Sequence, residues 1–238
     1  PKSVFDISAR ALLTGQTVFH SIEIVDPVLS LNYPIRRAED DEAGTQAHSP
    51  PPLSLAFLPE MEQRLARLST IARQYGLKSF RLAGGEVRIP DPDPRLPDRV
   101  FSEIDGTALP EADGDVSIDV RGEAKSGHWR YSVDRSTVGD GSRLVAGGRG
   151  VGLTDIVALP IIKSGFSLSP ELTAWFTASG ELERAKVQLG VDEGVFQIAR
   201  DPPRTIDRLL VAATWDAAQG VVTVEPLEIV AGTTLITG

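Results

Sequence analysis

Histidines, paired aspartates and a glycine-rich run are where this chain could do chemistry, and each sits in a pattern that argues against it. The three histidines are His20, His48 and His128. No two lie at a metal-ligating spacing such as His-x-x-x-His. His20 falls inside a strand-like pattern and reads as a structural or surface residue, as do His48 and His128. Asp91-Pro-Asp93 with Asp98 supplies oxygens. It lacks the alternating ligands, the sixth-position Gly and the twelfth-position Glu of a calcium loop. Asp113-Gly-Asp115 suits a turn. Gly147-Gly-Arg-Gly-Val-Gly152 has the glycine content of a phosphate loop. Such a loop needs a strand before it and a helix after, so that the helix N-terminus meets the phosphate. Strand patterns lie on both sides here, and the run reads as a flexible connection. No Gly-x-Ser-x-Gly elbow occurs. The absence of cysteine excludes a disulfide framework and thiolate metal sites. The expectation is a protein that is not an enzyme, with no catalytic residues, no metal and no cofactor.

The aromatics carry a different signal. Trp129, Trp175, Phe176, Phe196 and Trp215 read as sheet core, or as the lining of an apolar cavity. Trp175 and Phe176 are neighbours in a strand and must point to opposite faces. The elements that position them are strands. Leu172–Ala178 stops at the turn Ser179-Gly180; Ala185–Val191 stops at Asp192-Glu-Gly194; Val195–Ala199, Arg208–Trp215, Val221–Ile229 and Thr233–Thr237 follow. Ala185, Val187, Leu189 and Val191 alternate with polar residues, as do Leu209, Val211, Ala213 and Trp215. Period two means a sheet with one apolar face, and short Gly/Asp/Ser turns mean antiparallel neighbours.

Earlier in the chain, Val4–Ile7 and Gln16–Tyr33 show strand patterns, with Pro27 expected at an edge or bulge. Residues 36–56 are acidic, then Pro-rich, and read as a flexible loop. Leu58–Tyr75 is the one amphipathic helix: Met61, Leu65, Leu68, Ala72 and Tyr75 form a stripe, with Pro59 in the first turn and Gly76 as C-cap. Phe80–Ile89 reads as a hairpin turning at Gly84-Gly85. Asp115–Arg121 and Trp129–Val133 are further strands, and Leu153–Ile162 and Phe166–Leu168 lead into the C-terminal set.

The fold class is mainly β (α+β): a long antiparallel sheet with one helix, of about residues 58–75. The expected organisation is N-terminal strands over 1–35, the loop 36–56, and the helix plus sheet over 57–238, continuous with 1–35. Formal net charge is −9, and no basic run exceeds Arg36-Arg37, so nucleic acid is not an expected partner. No apolar run is long enough to span a bilayer and no signal peptide is visible. Both ends look cut, which suggests a segment of a longer protein.

Ala11-Leu-Leu-Thr-Gly15 followed by Ile22-Glu-Ile-Val-Asp-Pro-Val-Leu-Ser-Leu31 resembles the opening of AsmA-like proteins. Phe80–Ile89 resembles that family's next phrase. Leu153-Thr-Asp-Ile156 and Ser179–Ile198 resemble its YhdP-like branch, which carries a region long called a domain of unknown function. The resemblance, shared with TamB-like and bridge-like lipid-transfer proteins, implies a long, curved β-sheet forming an open apolar groove. It implies phospholipid binding and lipid transport between inner and outer membrane, in outer membrane biogenesis. It places the chain in the periplasm of the Gram-negative envelope, within a protein anchored in the inner membrane outside this segment. It supplies no catalytic residue.

Physics makes the groove coherent. One helix cannot cover the apolar side of a dozen strands, and acyl chains buried in the remainder gain about 0.8 kcal/mol per methylene. The candidate lining is Leu172, Ala174, Phe176, Val187, Leu189, Val191, Leu209, Val211, Trp215, Val222 and Val224. Two rival readings stand beside it. One is a structural or interaction β-module of an envelope scaffold. The other is a carbohydrate-active β-protein, which needs two carboxylates about 5–10 Å apart across a cleft.

Overall fold

Alternation of apolar and polar side chains along most of the sequence resolves into strands. The computed structural model describes residues 2–7, 18–30, 55, 57–90, 98–111, 113–152, 155, 162–191, 193–198 and 202–238. The strands are β1 (Lys2–Ile7), β2 (Phe19–Val25), β3 (Val28–Ser30), β4 (Ser79–Ile89), β5 (Arg99–Pro110), β6 (Val116–Ala124), β7 (Gly127–Val138), β8 (Gly141–Arg149) and β9 (Val151–Gly152). They continue as β10 (Ile162–Ser164), β11 (Ser167–Phe176), β12 (Leu182–Val191), β13 (Gly194–Ile198), β14 (Arg204–Ile206), β15 (Arg208–Asp216), β16 (Val221–Ala231) and β17 (Thr234–Thr237). The helix α1 spans Phe57–Tyr75.

Fourteen strands form one curved, open sheet along the path β1-β2-β4-β5-β6-β7-β8-β11-β12-β15-β16-β17, with β3 beside β4 and β9 beside β11. At about 4.8 Å per strand, that path runs roughly 50 Å. The two end strands do not meet, so there is no barrel. The pairing is antiparallel throughout except where β2 and β3 lie parallel to β4. The reason is the crossover: the chain from β3 to β4 includes α1, and a strand reached through a helix returns in the same direction. A second sheet, β10-β13-β14, repeats the order β11-β12-β15. Each of its strands is joined within a few residues to its counterpart, so it continues those three strands past a break.

The helix is held by its ends and by one buried ion pair. Leu77 N–H donates to the Ala72 carbonyl (2.8 Å) and Gly76 N–H to Arg73 (3.4 Å), while Gly76 takes φ +67°. This is the paired C-terminal bonding that a left-handed glycine permits. The buried stripe is Leu58, Glu62, Leu65, Ser69 and Ala72; it keeps Leu65 and Ala72 of the predicted stripe and has Glu62 and Ser69 where Met61 and Leu68 were expected. Leu58 and Leu65 pack against Val116, Leu144, Ala174, Phe176 and Ala185, with Met61 and Leu68 at the margin. Tyr75 is largely exposed and meets Phe19 edge-on at 6.4 Å. Glu62 is buried because Arg135 on β7 donates from Nε to both of its carboxylate oxygens (3.0 Å each) and from Nη2 (2.9 Å). Ser142 adds a 2.7 Å hydrogen bond, and the third guanidinium nitrogen reaches the Gly114 carbonyl.

Three expectations meet correction or lie out of reach. Phe80–Ile89 is not a hairpin but the single strand β4, which bulges at Gly84-Gly85. Residues before and after Gly84-Gly85 both pair with β5, so the chain runs straight on, and Gly84 (φ +63°) lies in an interruption of the ladder and not in a reversal. Gly147–Gly152 is not a loose connection. It is the end of β8, a bulge at Gly150 (φ +83°) and the start of β9. The sequences at 11–15, 36–54, 91–97 and 156–161, with Leu153 and Thr154, lie outside the described residues, as does His48. Pro27 does sit at a break, between β2 and β3, beside Asp26 at φ 50°.

The Glu62–Arg135 pair makes a sharp prediction. Arg135→Met leaves a buried carboxylate without its cation and is expected to cost about 3–5 kcal/mol. Glu62→Leu combined with Arg135→Met should recover most of that loss. Urea unfolding midpoints of the two variants check it.

Candidate functional site

Cross-strand partners point to the same side of a sheet, so the register assigns faces without ambiguity. One row of directly paired residues reads Phe5, Ile22, Phe80, Ala108, Ile118, Val133, Ala146, Leu172, Val187, Ala213 and Val224. It crosses eleven adjacent strands and holds no polar side chain. A flanking row holds Ala174, Ala185, Trp215 and Val222 in succession. On the other side run Leu189, Val211 and Leu227. This is the inner face. The opposite face carries Glu23, Arg81, Thr107, Asp119, Ser132 and Glu171 in a matching row. Its charges pair across strands: Arg130 with Asp119 at 2.6 Å, Arg121 with Asp105 at 3.5 Å.

All eleven candidate lining residues fall on the inner face, and they divide by what covers them. Ala174 (0% exposed) and Phe176 (2%) lie in the cluster with Leu58 and Leu65 of α1, with Leu172 and Trp215 packed around them. Val191 is buried and Leu189, Leu209 and Val211 are half-buried. Val187, Val222 and Val224 are open, Val224 being 52% exposed. At the far end of the long row, Phe5 is equally open, at 53%. Among the described residues, the helix therefore covers the middle of the inner face and nothing covers either flank. Trp175 takes the outer face, where the Arg184 guanidinium lies 5.2 Å from its ring centre.

Sequence reasoning missed the half of the face on β1 to β8. The alternation of Val116, Ile118 and Val120 was visible, but only pairing shows that they continue Leu172 and Val187. It also missed an aromatic niche on the same face. Val87, Phe101, Ile104, Trp129, Tyr131 and Val151 line a cavity of about 240 Å³. The Phe101–Trp129 and Trp129–Tyr131 ring centres are 6.0 and 5.7 Å apart. Two glycines make room for the rings: a Cβ at Gly122 would come within 2.7 Å of Trp129, and one at Gly148 within 2.1 Å of Tyr131. The Trp129 indole N–H is buried without a partner among the described residues. Burial raises the Tyr131 phenol above its ordinary pKa of 10.0.

Among the described residues, no group of three or more His, Cys, Asp or Glu could hold a metal ion. His128 meets Glu123 at 3.0 Å on the surface, and buried Asp155 binds the Ser126 hydroxyl and the Gly152 N–H, closing the β8–β9 bend. No helix among them is long and apolar enough to cross a membrane, which says nothing of strands. Comparison with protein-family models, with curated proteins and with solved structures finds no match for this chain.

Two outcomes follow from the niche. Gly148→Val drives a side chain into the Tyr131 ring and is expected to cost about 1–3 kcal/mol or more, read by thermal unfolding. Tyr131 stays protonated in the folded chain at pH values where the unfolded chain ionises. Its contribution to stability is thus complete below about pH 10 and is lost as pH rises beyond it. Unfolding free energies measured between about pH 9 and about pH 11 should fall more steeply in the native chain than in Tyr131→Phe.

Proposed function

We propose that this chain is a lipid-binding segment of an AsmA-like, YhdP-like envelope protein, and that it shields phospholipid acyl chains without catalysing a reaction. The observation that carries the reading is the eleven-strand apolar row whose two ends lie uncovered. An apolar face this long is normally buried, and large exposed apolar patches mark surfaces that receive a partner. Acyl chains suit it because the face is a strip rather than a closed pocket. Each buried methylene contributes about 0.8 kcal/mol, so a chain of ordinary length outweighs the cost of ordering it. The charged outer face keeps such a sheet in water, and head groups stay wet at the rim. In this reading the segment belongs to an inner-membrane-anchored periplasmic protein that carries phospholipid toward the outer membrane.

A structural or interaction module is the second reading. The open edges favour it: among the described residues β1 and β17 each pair on one side only, and every residue of β17 is exposed. Unpaired edges are templates for strand addition.

Native mass spectrometry after detergent-free purification separates the two. Co-purified phospholipid, and uptake of a fluorescent phospholipid, are expected. Val187→Asp combined with Val224→Asp places carboxylates on the open flank and should abolish uptake while leaving the circular dichroism spectrum unchanged. A lipid-free mass with no uptake, together with concentration-dependent association, would instead establish the scaffold reading.

A further inference from the structure

On the outer face, three arginines stand side by side across neighbouring strands, and the last of them, Arg149, makes no ion pair among the described residues. Register sets Arg121 opposite Arg130, and Arg130 opposite Arg149. Like charges directly across a ladder repel and lower stability. Asp105 takes Arg121, and Asp119 takes Arg130 through Nε and Nη2. Arg149 is exposed, and among the described residues nothing pairs with it.

Between Arg130 and Arg149 lies a recess of about 250 Å³, whose other walls are Asp119, Ser132, Gly147 and Gly148. Guanidinium groups outnumber carboxylates there by two to one. The two glycines differ in kind. At Gly148 the Tyr131 ring leaves no space for a side chain. At Gly147 a Cβ would meet nothing nearer than the Pro170 carbonyl oxygen, at 3.9 Å. Packing does not require glycine at 147; its bareness leaves the floor of the recess open.

We propose that Arg130 and Arg149, above Gly147, form a binding site for a phosphate group, of a soluble phosphate ester or of a lipid head group. The planar fork of Arg149 fits two phosphate oxygens. Arg130 is fixed by Asp119 and keeps Nη1 for a third contact, beside the Ser132 hydroxyl. A bound dianion also removes the repulsion between the two arginines. The site lies on the face opposite the apolar row and does not depend on lipid filling that row.

Thermal unfolding of the 238-residue chain in inorganic phosphate at constant ionic strength tests this directly. A saturable rise in Tm is expected. Arg149→Gln should weaken phosphate about tenfold or more, and, by relieving repulsion, should raise Tm in phosphate-free buffer. Gly147→Val fills the floor and should abolish the phosphate response with the fold retained. Flotation with phosphatidylglycerol vesicles distinguishes the source: binding lost in both variants assigns a lipid head group, and a response to free phosphate alone assigns a soluble ester. No saturable response to phosphate or to vesicles, or equal responses in the native chain and both variants, overturns the site.

Discussion

Strand register is the constraint on which this molecule rests. Side chains alternate with period two, so a slip of one residue in any ladder would turn a strand's apolar set to water. The row from Phe5 to Val224 survives eleven strands because that slip occurs nowhere along it. Where sequence parity does change, a bulge restores it. Leu82 and Val87 differ in parity yet share the inner side, because β4 bulges between them against β5. The bulge between Val211 and Ala213 opposite β16 does the same for Val224 and Leu227. A third, at Trp175/Phe176, brings Leu182 into the cluster with Ala185. Bulges also bend strands and increase twist, so the devices that keep the face apolar also curve the sheet.

An apolar face fixed in this way has to be covered, and cover is scarce. The helix α1 lies over β6 to β15 and seals the middle. It is held there by more than grease. Glu62 reaches between apolar neighbours to Arg135 and Ser142, and such a pair has one satisfactory geometry where packed leucines have several. The aromatic niche covers a second stretch with rings laid over glycines. Both flanks have neither device, and that uneven cover makes a trough rather than a sandwich.

The outer face follows different rules. Charges pair across strands there, and the apolar residues it carries, such as Val4, Leu109, Val138 and Val221, are scattered among polar ones and do not form a continuous row. Arg149 differs from the other cations of this face in its place, directly across the ladder from Arg130 and beside a glycine that packing does not demand. The same run, Gly147 to Gly152, serves three ends: an open floor at Gly147, ring clearance at Gly148 and a left-handed bend at Gly150.

The sequence by itself determined the β class, the helix with its glycine cap, and the two-faced character of the C-terminal strands, because each depends on local periodicity or on one residue's backbone freedom. That Leu172 to Val224 share one apolar face was legible for that reason. Only the tertiary structure decided which residues of distant strands share a row, since pairing joins positions such as Phe80 and Ala108 by hydrogen bonds that leave no local mark. It decided that Gly84-Gly85 is a bulge and not a turn, because the partner strand, not the dipeptide, fixes φ there. It put Glu62 inside and left Val187 open, because burial depends on what the fold lays on top. Alternation reveals that a strand has two sides; what each side meets is settled by its neighbours.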